Sequence, residues 1–177
     1  MGKAIIHTPR TAVEVFKLLP EGVHCQVINN AIYMSPAPNF EHQEIVSAIQ
    51  NGIFNHVKKN KLGKCVQSPI DVFLDNENVF QPDIIFISSD NLNIIKDDGK
   101  VHGAPDIVVE VLSPGNANDD KIKKRKVYES CRVKEYFIVQ PSSKEVISYY
   151  LVKEKFEQAD KVKGKIISKF LKKVFRF

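Results

Sequence analysis

The stretch Gly103-Ala104-Pro105-Asp106-Ile107-Val108-Val109-Glu110-Val111-Leu112-Ser113-Pro114 carries the reading of this chain. From Ile107 to Leu112 it is an almost continuous apolar run, the pattern of a strand covered on both faces. One carboxylate, Glu110, interrupts it. An isolated carboxylate taken out of water costs roughly several kcal/mol unless it meets a cation or shifts its pKa, so something positive should face Glu110. Asp83 raises the same question, because Gln81-Pro82-Asp83 leads directly into the apolar Ile84-Ile85-Phe86-Ile87. Two acids at adjacent buried strands form a natural oxygen site for a divalent cation such as magnesium. The structural alternative is that Asp83 caps a turn and Glu110 pairs with a buried lysine.

Working outward, the segment after Glu110 supplies Lys121, Lys123, Lys124, Arg125 and Lys126. They cannot all point inward. On helical spacing Lys121, Lys124 and Tyr128 share a face, while Lys123 and Lys126 splay away. A positive group here could orient an attacking water and stabilise the charge that develops in phosphodiester cleavage. Most of the five must instead be a solvated basic face.

The remaining chain alternates strands and helices without an internal repeat. Thr8-Pro9 reads as the start of a short helix running to Leu19, stopped by Pro20 and Gly22. His24–Ile28 and Ala31–Met34 read as a hairpin around Asn29-Asn30, a pair tolerant of positive φ. After Pro36 and Pro38, the stripe Ile45, Ile49, Ile53 and Val57 predicts a long helix ending near Asn60 and Gly63. Lys64–Leu74 and Val79–Ile87 read as two strands, Asn91–Gly103 as a polar connection and Ser113–Asn118 as a turn. Asp119–Ser130 reads as a helix with Ile122 and Val127 inward. Strands follow at Glu135–Val139, Val146–Val152 and Ile166–Phe170, with Lys161–Gly164 as a hairpin tip. The expected class is α/β (α+β): a central mixed sheet flanked by helices, preceded by an N-terminal helix and hairpin, in one domain spanning residues 1–177.

Composition sets the outer bounds. The chain has 177 residues, 43% hydrophobic and 27% charged, which excludes collagen-like and wholly disordered readings. Cys25, Cys65 and Cys131 are odd in number and lack zinc-site spacing, so a reducing, cytoplasmic setting is expected. No stretch approaches the roughly 18 apolar residues of a membrane span. The net charge of +5 is unevenly spread. Residues 151–177 hold nine Lys or Arg against three Asp or Glu, while the rest of the chain is slightly acidic. Such a surplus suits a polyanion, and equally suits a sheet edge guarded by lysines.

The block from Gly103 to Pro114, with Gln81-Pro82-Asp83-Ile84, Asp120, Lys124, Tyr128 and Glu135-Tyr136-Phe137-Ile138-Val139, resembles the Uma-type family of bacterial restriction endonucleases. Tyr33-Met34-Ser35-Pro36, His42 and the Ser168 region fit too, so the likeness spans nearly the whole chain. That family belongs to the PD-(D/E)XK nuclease superfamily. The resemblance implies a restriction-endonuclease-like fold, with Asp83 and Glu110 binding the metal, the Val111 carbonyl as a third ligand, and Lys124 as the catalytic cation. In the superfamily pattern the lysine stands two residues after the acid, where this chain has Leu112; the Uma-type branch carries it on the following helix. Glu44 and His42 are supporting candidates, against structural roles for both. Pro105-Asp106 mimics the signature, but Asp106 sits at a strand start where a satisfied turn carboxylate is expected. The chain departs from the family pattern at Gln26 and Ala31, where acids are common, and at Arg132, where glycine is common.

The expected function is DNA cleavage by water activated at Mg2+ or Mn2+, with DNA as partner, no membrane partner, and a homodimer if both strands are cut. The alternative is a nucleic-acid-binding protein that keeps the fold with weak or no cleavage. A protein-interaction domain would need neither metal nor DNA.

Overall fold

The computed structural model describes residues 8–20, 22–34, 36–113 and 119–177, with side chains of the last segment from 122 onward. Ser35, residues 114–118 of the expected turn, and the side chains of Asp119, Asp120 and Lys121 fall outside the described residues. In chain order the elements are α1 (Ala12–Phe16), β1 (Cys25–Ile28), β2 (Ala31–Met34), α2 (Phe40–Asn60), β3 (Gly63–Gln67), β4 (Val72–Phe73), β5 (Val79–Phe80) and β6 (Ile84–Ser88). A 3-10 turn (Ser89–Ile94) leads to β7 (Val101–His102), β8 (Ile107–Val111), α3 (Asp119–Ser130), β9 (Glu135–Gln140), β10 (Glu145–Val152), β11 (Lys155–Gln158), β12 (Val162–Lys163), β13 (Lys165–Ser168) and β14 (Lys173–Arg176).

The main sheet runs β11-β10-β9-β8-β6-β3, and β12 adds to β10. β8 and β9 are parallel and joined through α3, while the other neighbouring pairs of this sheet are antiparallel. As the almost continuous apolar run of β8 requires, both faces of this sheet are covered. Ile107, Val109 and Val111 face a core with Ile45, Ile49, Ile53 and Val57 of α2. Val108, from the other face, packs with Val127 and Tyr128 of α3 and with Val72 and Phe80. Each fully buried aliphatic side chain on that α2 stripe contributes about 1.5–3 kcal/mol. A second, five-stranded sheet runs β2-β1-β5-β4-β7, and β13-β14 form a separate hairpin.

The hairpin around Asn29 and Asn30 is present, with φ of 48° and 58°. Both long helices end in the same device. Lys61 and Arg132, at φ 55° and 66°, occupy the left-handed position, and the next residue reaches back five positions, from Leu62 N–H to Val57 and from Val133 N–H to Tyr128. Arg132 therefore stands where glycine is the unstrained choice.

Several boundaries differ from the sequence reading. α1 begins at Thr11 rather than Thr8, because the Thr11 hydroxyl accepts the Glu14 N–H and Glu14 answers the Arg10 N–H. Lys64–Leu74 is not one strand. Pro69, lacking an N–H, separates β3 in the main sheet from β4 in the second. Val79–Ile87 likewise divides, at Gln81-Pro82-Asp83. Ile122 is exposed, because the inward face of α3 is set by Lys124, Val127 and Tyr128. Lys161–Gly164 does not tip a hairpin into the last strand. β10 instead turns tightly at Lys153 and Glu154, both at positive φ, into β11, and β13 pairs with β14.

Candidate active site

The antiparallel register between β6 and β8 pairs Ile84 with Val109. One residue further along, it brings Asp83 across from Glu110, and both acids line one cavity. The Asp83 carboxylate accepts the Val111 N–H at 2.7 Å, fixing the entry to β6 against the end of β8.

Glu110 is buried. Its Oε1 accepts two bonds, from the Lys124 ammonium at 2.9 Å and from the Tyr128 hydroxyl at 2.8 Å. Burial pushes the Glu110 pKa up, the Lys124 charge opposes that, and the neighbouring Asp83 charge adds to it. The net direction is upward. Tyr128 is pushed far up by burial and by Glu110, so its hydroxyl keeps its proton and remains a donor. Lys124 also stands 5.6 Å from the centre of the Phe80 ring. Among the described cations of α3, Lys124 is the one that meets Glu110; Lys123 lies over Tyr33 and Arg125 over Tyr149.

The first turn of α2 closes the site from the other face. Asn39 caps the helix by accepting the His42 N–H, which directs the His42 ring inward. Nε2 of that ring is 3.0 Å from the Val111 carbonyl oxygen and 3.3 Å from Asp83 Oδ2. Both neighbours accept hydrogen bonds, so the proton sits on Nε2. Burial lowers the His42 pKa, but the hydrogen bond and charge of Asp83, the Val111 carbonyl and Glu110 outweigh it, and the net direction is upward. His42 Nδ1 is buried without a hydrogen-bond partner among the described residues.

These groups line a cavity of about 720 Å³, walled by β1, β2, the start of α2, the Ser68-Pro69 turn, the end of β8 and α3. Asp83, Glu110, Val111, Lys124 and His42 all reach it. Glu44 does not; it is exposed, two positions round the helix from His42. Gln26 lines the cavity and its side chain accepts the Gln81 N–H, whereas Ala31 lies exposed on β2, outside the lining. Asp106 is elsewhere. It is buried among Ser88 N–H, the Asn91 amide and the Lys134 ammonium, in a separate pocket. The sequence reading missed the Tyr128 hydroxyl as a partner of Glu110, and Gln43, which follows His42 into the lining. The interval from Lys124 to Tyr128, one helical turn, was the available signal.

The fold is of the restriction-endonuclease-like class. A family model described as Uma2, "Putative restriction endonuclease", matches residues 12–169, and the chain belongs to this family. Among solved structures the chain is similar to a protein from Anabaena variabilis titled a "putative nuclease belonging to DUF820". The two are 20% identical, with a TM-score of 0.69 over 85% of this chain and 84% of the other. Curated proteins yield no match.

Proposed function

We propose that the protein is a metal-dependent DNA endonuclease whose centre is Asp83, Glu110, the Val111 carbonyl and Lys124. The observation that carries this reading is the meeting of two acids, a main-chain carbonyl and a lysine in one cavity. The donor set fits a hard cation: two carboxylates and a carbonyl offer oxygen only, the preference of Mg2+ or Mn2+. Among the described residues no three His, Cys, Asp or Glu side chains gather as a metal group; the Val111 carbonyl is the third protein oxygen this reading assigns, with waters completing the shell of such a cation. Such a cation would lower the pKa of a bound water and neutralise charge on the scissile phosphate. Asp83 and Glu110 would hold it. Both hydrogen bonds to Glu110 fall on Oε1, which leaves Oε2 for that task. Lys124, steadied by Glu110, offers its remaining N–H groups to a phosphate oxygen as negative charge develops. Tyr128 keeps Glu110 oriented while Lys124 turns to substrate. Cutting both strands of a duplex would call for two copies of the chain.

One observation favours the second reading, a nuclease-fold protein that binds nucleic acid without cutting it. The His42 N–H occupies two of the proposed metal donors, the Val111 carbonyl and Asp83 Oδ2. Supercoiled plasmid incubated with Mg2+ or Mn2+ distinguishes the two. Nicking that chelator stops, and that Asp83→Asn and Lys124→Ala both lose, supports the endonuclease; retained DNA binding with intact plasmid supports the second reading. Calorimetric titration of Mg2+ into wild type and Asp83→Asn tests the metal separately from activity.

A further inference from the structure

Two segments without a single Asp or Glu, residues 45–64 and 161–177, come together in space although about a hundred residues separate them in sequence. The contact is specific. Phe175 of β14 lies against Gly52 of α2, at 3.6 Å from where a β-carbon would stand, and meets the His56 ring edge-on at 5.7 Å between centroids. The next residue along the stripe Gly52, His56 is Lys59. Strand parity sets Lys173 on the same side of the β13-β14 hairpin as Phe175, and Lys165 and Arg176 directly opposite one another on the other side. Like charges opposed across strands destabilise a hairpin. No acid relieves this: among the described residues Lys59, Lys165, Lys172, Lys173 and Arg176 have no carboxylate within ion-pairing distance. Lys161, by contrast, is taken by Glu145 at 2.8 Å.

We infer that the surface formed by the C-terminal half of α2 and the β13-β14 hairpin binds the phosphate backbone of a nucleic-acid duplex, away from the cleavage cavity. The inference rests on the proposed nucleic-acid substrate and adds a second, remote contact. Lys165 and Arg176 oppose one another, and Lys59, Lys172 and Lys173 stand exposed with no carboxylate beside them among the described residues, the condition in which a polyanion gains most by releasing its counterions. Lys59 lies 17 residues beyond His42 on one helix, about 25 Å at roughly 1.5 Å per residue. That is the length of about seven base pairs at roughly 3.4 Å each. The surface therefore touches sequence flanking the cut and contributes affinity without reading bases.

The test is binding of a fluorescent 24-base-pair duplex by anisotropy, in chelator, so that cleavage plays no part. The triple variant Lys59→Gln, Lys173→Gln, Arg176→Gln is compared with a control of equal charge change, Lys17→Gln, Lys96→Gln, Lys153→Gln, after circular dichroism shows both folded. The expected result is a loss of at least tenfold in affinity for the first variant only. Its slope of log K against log salt should also be shallower by up to about 2.7, at roughly 0.9 per phosphate contact. Overlaying curves for wild type and test variant, or equal losses in both variants, overturn the inference. Loss of binding to phosphatidylserine vesicles with unchanged duplex binding overturns it in favour of a membrane surface. A protein that never nicks plasmid yet shows the selective loss keeps this surface while losing the proposed reaction.

Discussion

Asp83 accepts the main-chain N–H of Val111 at 2.7 Å, so one carboxylate holds in place the residue whose own carbonyl, on its other side, faces His42. The acid at the start of β6 thus orients the end of β8, and the two strands cannot shift register without opening the site. Asp83→Ala should therefore cost about 1–3 kcal/mol, the penalty for a buried amide left without its partner. Asp83→Asn, which can still accept that bond, should fold close to wild type. Chemical denaturation of the pair separates this orienting role from any metal role.

Removing Lys124 exposes how Glu110 is tolerated. Burial raises the Glu110 pKa and Lys124 opposes the rise, so Lys124→Met should raise it further. A carboxylate with a raised folded pKa is least costly when protonated, and destabilises the fold as pH climbs through its unfolded value toward the folded one. Thermal unfolding of Lys124→Met should thus match wild type near pH 4 and fall increasingly below it toward pH 8, by about 1–3 kcal/mol. A deficit independent of pH would count against the ion pair.

His42 should titrate above its ordinary value of 6.5, because the pull of Asp83, Val111 and Glu110 exceeds the effect of burial. The stabilisation from this pairing is complete below the unfolded pKa and fades as pH rises through the folded one. Proton NMR of the imidazole should show the midpoint falling in Asp83→Asn. A midpoint that stays put would mean the 3.3 Å approach carries no charge interaction.

The near-signature at Pro105-Asp106 is structural. Asp106 anchors the Ser88 N–H at 2.7 Å and the Lys134 ammonium at 2.6 Å, and these bonds outweigh burial to hold its pKa below the ordinary value. Asp106→Ala should cost about 2–4 kcal/mol at neutral pH, with binding in the main cavity unaltered. Wild-type stability from this carboxylate should be present above the unfolded pKa and lost as pH falls through the folded one. Urea denaturation at pH 7 and pH 3 reads both.

Arg132→Gly should stabilise the protein. At φ 66° the arginine pays a conformational penalty that glycine avoids, and its ion pair with Glu154 is largely exposed and worth little. The gain expected is about 0.5–1 kcal/mol, or about 1–4 °C in melting temperature.

The candidate site was legible where buried charge contradicts its surroundings, although the pairing seen there is one that the structural alternative expects as well. Glu110 inside an apolar strand demanded a cation, and Lys124 is there; the i, i+4 stripe of α2 likewise predicted its packing face. The edges were less legible, since β4, β5 and β7 are two-residue strands whose pairing is decided by distant partners rather than by local pattern. His42 was ambiguous for a similar reason. Its role depends on where the end of β8 lies, 69 positions away, and no local spacing encodes that. Glu44 shows the opposite case: two positions from His42 on a helix is nearly the far side, a geometric fact that its residue type obscures.

The parallel pairing of β8 with β9 has a consequence for biosynthesis. Glu110 lies on β8, whose neighbour on one side, Glu135–Gln140, is made some twenty-five residues later, after the helix that carries Lys124. During translation at roughly 5–20 residues per second, a chain that has just emitted Glu110 has neither its cation nor its second neighbouring strand. The assembled cavity is thus withheld from nascent chains and from any fragment that ends before β9.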